Sequence, residues 1–339
     1  MPVYQTLKRL LIGKPLPSHE EKHQRLSKRI GLAVFASDAI SSTAYATEEI
    51  LFVIFPIAGY ASLRYLNPMA FLVVILLALV ATSYRQTIKA YPSGGGSYVV
   101  ARENLGVVPS LVAGSSLLVD YVLTVAVSVS AGVAAITSAV HGIAGARVLL
   151  CLIAIAVIML ANLRGVKESG RIFAVPTYAY IVSLVLLLGI GLGRSFFGHL
   201  GTIPENPERL EELRNSTAFA SSVGLYYLMR GFSSGAVALT GVEAISNGVS
   251  AFKRPESKNA ATTLTWMAGL LGTLFFGISV LAHRLEPVPS EHETVLSQLA
   301  RQVYGGSGVM YWVMQVTTFA ILILAANTAF ADFPRLASI

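Results

Sequence analysis

The stretch Ser37-Asp38-Ala39-Ile40-Ser41-Ser42-Thr43-Ala44-Tyr45 decides the fold, because it places a carboxylate in the middle of the apolar segment 31–57. A segment of that length is sufficient to cross a bilayer. A carboxylate at membrane depth is costly and persists where it lines a protein interior or a water-filled path. The stretch therefore predicts a membrane helix that is broken near 38–45 around a polar site.

A second carboxylate interrupts another apolar segment, residues 218–249, which we predict to be broken near 240–248. There Thr240 and Glu243 flank Gly241, and glycine lets the backbone leave helical geometry. Two broken helices with one carboxylate each predict a cation site at the bilayer midplane. The alternative for Glu243 is a permanent pair with a basic side chain.

The hydroxyl groups around Asp38 add to this interpretation. Ser and Asp compete with the helix for backbone hydrogen bonds, so the run Ser41-Ser42-Thr43 predicts an unwound turn. Such a turn frees carbonyl oxygens that can coordinate a cation, and the hydroxyls supply further oxygen ligands. In the alternative, these hydroxyls bond to the carbonyl four residues earlier in an ordinary membrane helix.

The composition indicates a polytopic membrane protein, since 54% of the residues are hydrophobic and 13% are charged. Soluble domains carry about 25% charged residues. The net charge of +7 resides in short loops between apolar segments, where it sets topology, so we expect a bilayer and no nucleic acid as partner. The sequence shows no zinc-ligand spacing and no nucleophile motif, so we expect neither an enzyme nor a bound cofactor.

Eight segments are long and apolar enough to cross the membrane. They are residues 31–57, 68–90, 109–140, 147–163, 172–194, 218–249, 260–282 and 309–331. Most Lys and Arg residues fall on the side of the amino terminus in this arrangement, which predicts a cytoplasmic amino terminus in the cell inner membrane. We divide the chain into a cytoplasmic arm, 1–30, and a transmembrane transporter domain, 31–339.

The third span carries polar residues on one helical face. Tyr121, Thr124 and Ser128 follow at spacings that align them, so they can form a second wall for a dehydrated ion. A packing seam of small residues (Ser128, Gly132, Ala135) is the alternative. Asp120 lies elsewhere on the helix, where it serves either as a structural partner of a cation or in a proton path.

The two broken spans stand five helices apart, which is typical of an inverted repeat of five helices with the substrate site where the broken helices meet. Such a plan uses about ten helices. We therefore expect a chain truncated after helix 8, as a fragment of a longer gene product.

Together these motifs resemble the amino acid–polyamine–organocation superfamily, and within it the KimA-type potassium importers of the potassium-uptake-permease group. The resemblance covers residues 25–339 and includes the two broken spans and the loop at 92–98, for which we expect a tight turn and close helix packing. It rests on Asp38 with Tyr45, on the Tyr121 face, and on Thr240 with Glu243.

The resemblance implies an inverted-repeat (LeuT-like) fold and proton-coupled potassium uptake by alternating access. The implied ion and substrate ligands are Asp38, Tyr45, Tyr121, Thr124, Ser128, Thr240 and Glu243. Of these, Asp38, Thr124, Ser128, Thr240 and Glu243 are expected to contact potassium, while Glu243 and Asp120 are the candidates for proton coupling. The alternative is a proton-coupled amino acid permease, and whether the chain forms a homodimer stays open.

Overall fold

The computed structural model describes residues 25–92, 94, 96–163, 170–198, 200–204 and 222–337. Most of the predicted cytoplasmic arm, the cations Arg164 and Lys167, and most of the loop 195–217 lie outside the described residues. Within the described residues the backbone is helical apart from turns and one isolated bridge between Leu26 and Phe252. The prediction of an all-α protein is confirmed.

Thirteen α-helices follow one another in the described residues, joined in several places by short 3-10 turns. They are α1 (Lys28–Phe35), α2 (Ser37–Ser41), α3 (Ala46–Ala58), α4 (Leu63–Ala90), α5 (Ser97–Leu105), α6 (Val107–Ala139), α7 (Arg147–Leu163), α8 (Gly170–Phe196), α9 (Leu225–Gly235), α10 (Ala244–Asn247), α11 (Glu256–Leu285), α12 (Val295–Tyr304) and α13 (Val309–Ala337).

Six helical stretches in the described residues are long and apolar enough to cross a membrane, so the chain is a multi-pass membrane protein. The first, Ser37–Ala90, contains most of the first predicted span and all of the second, joined by the 3-10 turn Gly59–Ser62. The sixth predicted span, 218–249, forms no continuous helix in its described part, because α9 ends at Gly235 and a 3-10 turn and the short helix α10 follow. The inverted repeat and the truncation after helix 8 stay predictions.

The helices pack in two groups that meet at the first span. In one group α4 packs along α11, and α9 packs against α3. In the other, α13 packs along α6 and also contacts α8. The short helix α2, which carries Asp38, lies against α13, while α1 contacts α8 and α11. The broken first span is therefore surrounded by helices from both groups.

Polar side chains inside the bundle fix the first span to its neighbours. Thr43 Oγ1 lies 2.8 Å from the hydroxyl of Tyr180 on α8, and Thr47 Oγ1 lies 3.0 Å from Ser279 Oγ on α11. Hydrogen bonds between membrane helices contribute about 0.6 kcal/mol each on average. These two hydrogen bonds fix the segment around Asp38 between α8 and α11.

The connection between α11 and α13 contains a further helix. This helix is α12, whose cap residue Thr294 accepts a hydrogen bond from the Ser297 amide at 3.2 Å. Most of α12 is buried, and the buried carboxylate of Glu48 accepts a hydrogen bond from the Val295 amide at its first turn. A carboxylate is favourable there because the amino end of a helix is partly positive.

Candidate cation site

The two breaks meet in the middle of the bundle. Ser42 Oγ, in the first break, donates to the carbonyl of Ala238 in the second at 3.2 Å. Gly241 has φ of +74°, and a Cβ there would lie 2.6 Å from Asp38 Oδ2 and 2.9 Å from the Ala39 amide nitrogen. Only glycine tolerates both this backbone conformation and this contact. The sixth span thus approaches Asp38 with its bare backbone.

Asp38 is a buried carboxylate without a basic partner in the described part of the chain. Its side chain is 8% exposed, and its Oδ1 atom forms no hydrogen bond there. Asp120, Glu243 and Asp332 lie close enough for their charges to interact with it, so its electrostatic environment is negative. A buried charge is stable when a counter-charge or a proton accompanies it. Asp38 therefore has the electrostatic character of a cation ligand.

The backbone around Asp38 differs from the prediction of free carbonyl oxygens. The first break is a compact 3-10 turn, Ser42–Ala44, that follows α2. The hydroxyls of Ser41, Ser42 and Thr43 donate to the carbonyls of the residues three earlier, at 2.7, 2.6 and 2.7 Å. These hydroxyls therefore donate to the backbone of their own turn, and their expected role as ion ligands stays a prediction, because a hydroxyl that donates its proton keeps lone pairs for a cation.

Tyr45 follows the first break and Thr240 belongs to the second, so this pair joins the two breaks. Their side chains interact, and Thr240 Oγ1 also donates to the Val237 carbonyl at 3.0 Å. Tyr45, Glu48, Glu49 and Arg147 belong to the lining of a cavity of about 580 Å³. Tyr45 is therefore shared between the environment of Asp38 and a cavity that leads towards α12.

Glu243 has a different environment, since hydroxyl and amide groups surround its carboxylate. Tyr84 and Ser97 donate to Oε2 at 3.0 and 3.1 Å, and Asn247 Nδ2 lies 3.4 Å from Oε1. No salt bridge joins Glu243 to a basic residue in the described ranges. Within the described ranges, Glu243 therefore does not form the permanent ion pair that was the alternative interpretation.

The loop at 92–98 positions Ser97 beside Glu243. A Cβ on Gly96 would lie 1.7 Å from Asn247 Oδ1, and one on Gly94, which has φ of +97°, would lie 2.8 Å from the Asn247 carbonyl. The loop therefore packs directly on α10, as the expectation of close helix packing requires. Ser93 and Gly95 of this loop lie outside the described residues.

The third span contributes unequally to this region. Tyr121 lies within electrostatic range of Asp38, Glu243 and Asp120. Thr124 and Ser128 are buried further along the same face, and Ser128 Oγ has no hydrogen-bond partner in the described part of the chain. A Cβ on Gly132 would touch Leu322 and Phe319 of α13, so the packing seam is also present.

Two carboxylates of the region escaped the sequence analysis. Asp332 of α13 interacts electrostatically with both Asp38 and Tyr121. Glu48 lies within the first span, and its position at membrane depth was the signal that could have revealed it. For Tyr84 no pattern in the sequence pointed to Glu243. Among the described residues, no three His, Cys, Asp or Glu side chains converge as metal ligands. The acids of this region therefore interact through their charges and do not form one ligand cluster.

Broken helices that meet around an unpaired carboxylate, inside a multi-pass helical bundle, define a membrane permease. The chain belongs to the amino acid permease family, which it matches over residues 32–338. It is 48% identical over 335 residues to the potassium transporter KimA of Bacillus subtilis (strain 168), and the alignment covers 99% of this chain and 54% of that protein. The chain thus spans about half the length of this curated relative.

Proposed function

We propose that this chain performs the membrane step of proton-coupled potassium uptake in the inner membrane, with a cytoplasmic amino terminus. The observation that carries the proposal is Asp38, a buried carboxylate whose Oδ1 has no hydrogen-bond partner among the described residues and whose Oδ2 lies against the bare backbone of Gly241. The 48% identity to a potassium transporter supports potassium as the cation.

The residues divide into two roles. Asp38 neutralises the ion, and oxygen atoms of Tyr45, Thr240 and Tyr121 complete its shell, while Thr124 and Ser128 extend this shell along α6. These are hard oxygen ligands, which suit an alkali cation. Glu243 carries the proton, because its carboxylate is held by groups that can also bond to its protonated form, and Asp120 is the second candidate for this role.

The membrane potential drives the proposed reaction. Inward movement of one positive charge gains about 2.3 kcal/mol per 100 mV, and a potassium ion and a proton that move together gain twice as much. Alternating access requires that the contact between the two breaks opens to one side at a time. Tyr45, which contacts both the Thr240 side chain and the cavity beside Glu48, lies where such a change begins.

Complementation tests the proposal. The complete gene product, expressed in a bacterium that lacks potassium uptake, should restore growth at low external potassium. Asp38→Asn and Glu243→Gln should each abolish this rescue, whereas Glu103→Gln, which changes an exposed carboxylate on α5, should retain it. Membrane fractions must contain equal amounts of all four proteins. Full rescue by both site variants would contradict the assignment of the ion site.

Amino acid uptake is the second candidate, and the family description favours it. Such a substrate carries an α-carboxylate, which the negative charges of Asp38, Asp120 and Asp332 would repel. Proteoliposomes that contain the purified complete protein distinguish the two. Uptake of a rubidium tracer with acidification of the lumen supports the proposal, and uptake of a radiolabelled amino acid that potassium does not inhibit overturns it.

A further inference from the structure

A long apolar groove runs between α4, α8 and α11, and none of its lining residues belongs to the candidate cation site. Its cavity volume is about 1010 Å³, and most of its lining is apolar. Small residues make the groove deep, and they include Ala78, Ala81, Gly189, Gly269 and Gly272. At one end the rings of Phe71 and Phe276 meet edge to face, with 6.3 Å between their centroids.

The other end of the groove is basic. Arg85 and Thr265 line both the groove and a second cavity of about 780 Å³, to which Lys89 and Lys258 also belong. All three cations are exposed, and in the described ranges no carboxylate lies within salt-bridge distance of them. The acid in this second cavity, Glu256, already pairs with Arg25. The basic end therefore carries positive charge that the carboxylates of the described ranges do not neutralise.

The dimensions of the groove match one leaflet of a membrane. Phe71 and Arg85 both lie on α4, and their separation of fourteen residues corresponds to about 21 Å along the helix axis. Half of the thickness of a bilayer, including its headgroup region, is about 20 to 22 Å. Trp266, which is 49% exposed, lines the basic cavity and is a residue type enriched at the membrane interface. The cations thus lie at headgroup level when the groove lies among the acyl chains.

We propose that this groove binds one anionic phospholipid. The phosphate and any further negative charge of the headgroup contact Arg85, Lys89 and Lys258, and one acyl chain fills the groove between α4, α8 and α11. Charge complementarity selects this occupant, because three unneutralised cations at the end of an apolar groove favour an anionic headgroup over a zwitterionic one. A further helix of a longer protein is the competing occupant, and it would exclude lipid from the groove.

Native mass spectrometry of the purified, delipidated complete gene product tests the proposal. The probes are phosphatidylglycerol and phosphatidylcholine with identical acyl chains, and glycerol phosphate as a headgroup without chains. We expect one tightly bound phosphatidylglycerol, with about fivefold weaker binding for each cation removed by Arg85→Gln or Lys258→Gln. Lys253→Gln removes an exposed cation at the same end of the bundle that lies outside both cavities, and it should leave binding unchanged.

Two further variants fill the groove without steric conflict. A Cβ on Gly189 or on Gly269 meets no atom within 4 Å, so Gly189→Leu and Gly269→Leu extend into the groove. Both should reduce phosphatidylglycerol binding at least as strongly as the loss of one cation. Gly193→Leu is the matched control, since Gly193 lies one turn further along α8, has equally open surroundings and does not line the groove.

Three results would overturn the proposal. They are equal binding of the two phospholipids, binding that none of the four test variants weakens, and a delipidated complete gene product that binds no added phosphatidylglycerol. Glycerol phosphate that binds as tightly as phosphatidylglycerol would likewise exclude an acyl chain from the site. Potassium transport is not the readout, so the outcome is independent of the proposed function.

Discussion

The two breaks that form the candidate site differ in how their backbone and their carboxylate are hydrogen-bonded. In the first, every hydroxyl of Ser41, Ser42 and Thr43 satisfies the local backbone, yet the Asp38 carboxylate keeps an unpartnered oxygen among the described residues. In the second, the backbone is irregular around Gly241, yet the Glu243 carboxylate is held by three polar side chains. A carboxylate without partners is suited to a bare cation, and one within a hydrogen-bond network is suited to a proton.

The largest expected effect is at the contact between the breaks. Gly241→Ala places a methyl group 2.6 Å from Asp38 Oδ2 and forces alanine into a left-handed conformation. The two costs together amount to about 2 to 6 kcal/mol. We expect rubidium uptake in proteoliposomes to fall below detection and the melting temperature to decrease.

Gly193→Ala is the control for this substitution, because a Cβ on Gly193 has open space around it. It should behave as the unmodified protein does. If Gly241→Ala transports at the normal rate, the close approach of the sixth span to Asp38 is not part of the working protein.

The hydrogen bonds to Glu243 provide the next test. Tyr84→Phe and Ser97→Ala each remove one donor to Glu243 Oε2. A hydrogen bond to a charged group contributes about 1.5 to 3 kcal/mol, so each variant should slow proton-coupled uptake by about tenfold or more. Lumenal acidification during rubidium uptake is the measurement.

Tyr98→Phe serves as the neighbour control, since the Tyr98 hydroxyl accepts a hydrogen bond from Arg102 and lies outside the Glu243 network. It should leave the rate within twofold of normal, a surface change being worth less than about 0.5 kcal/mol. Equal losses in all three variants would indicate damage to the loop rather than a role in proton transfer.

The smallest expected effect concerns the hydroxyls of the first break. Ser42→Ala removes one hydroxyl donor that lies within hydrogen-bond distance of the Ala39 and Ala238 carbonyls, which should cost about 1 kcal/mol of stability. The potassium concentration for half-maximal uptake should change by less than about threefold, because the hydroxyl bonds to backbone rather than to the ion. If this potassium concentration increases tenfold or more while stability is unchanged, the Ser42 hydroxyl is a ligand of the ion.

The sequence was sufficient to find both breaks, because a carboxylate inside an apolar segment has few structural explanations. It predicted Asp38, Tyr45, Thr240 and Glu243 as one group, and the structure brings their segments into contact. It failed for Tyr84 and Asp332, which reach the region through tertiary packing of α4 and α13 and have no local pattern. It left open whether the serine hydroxyls bond to the backbone or to the ion, and only the backbone geometry shows that they donate to the preceding turn.

Potassium binding to the purified complete gene product, measured by isothermal titration calorimetry at fixed pH, tests the difference between the breaks most directly. The comparison is between the unmodified protein, Asp38→Asn and Glu243→Gln. We predict that Asp38→Asn abolishes the binding heat, while Glu243→Gln still binds potassium although it no longer transports it. Undiminished potassium binding by Asp38→Asn would contradict the account.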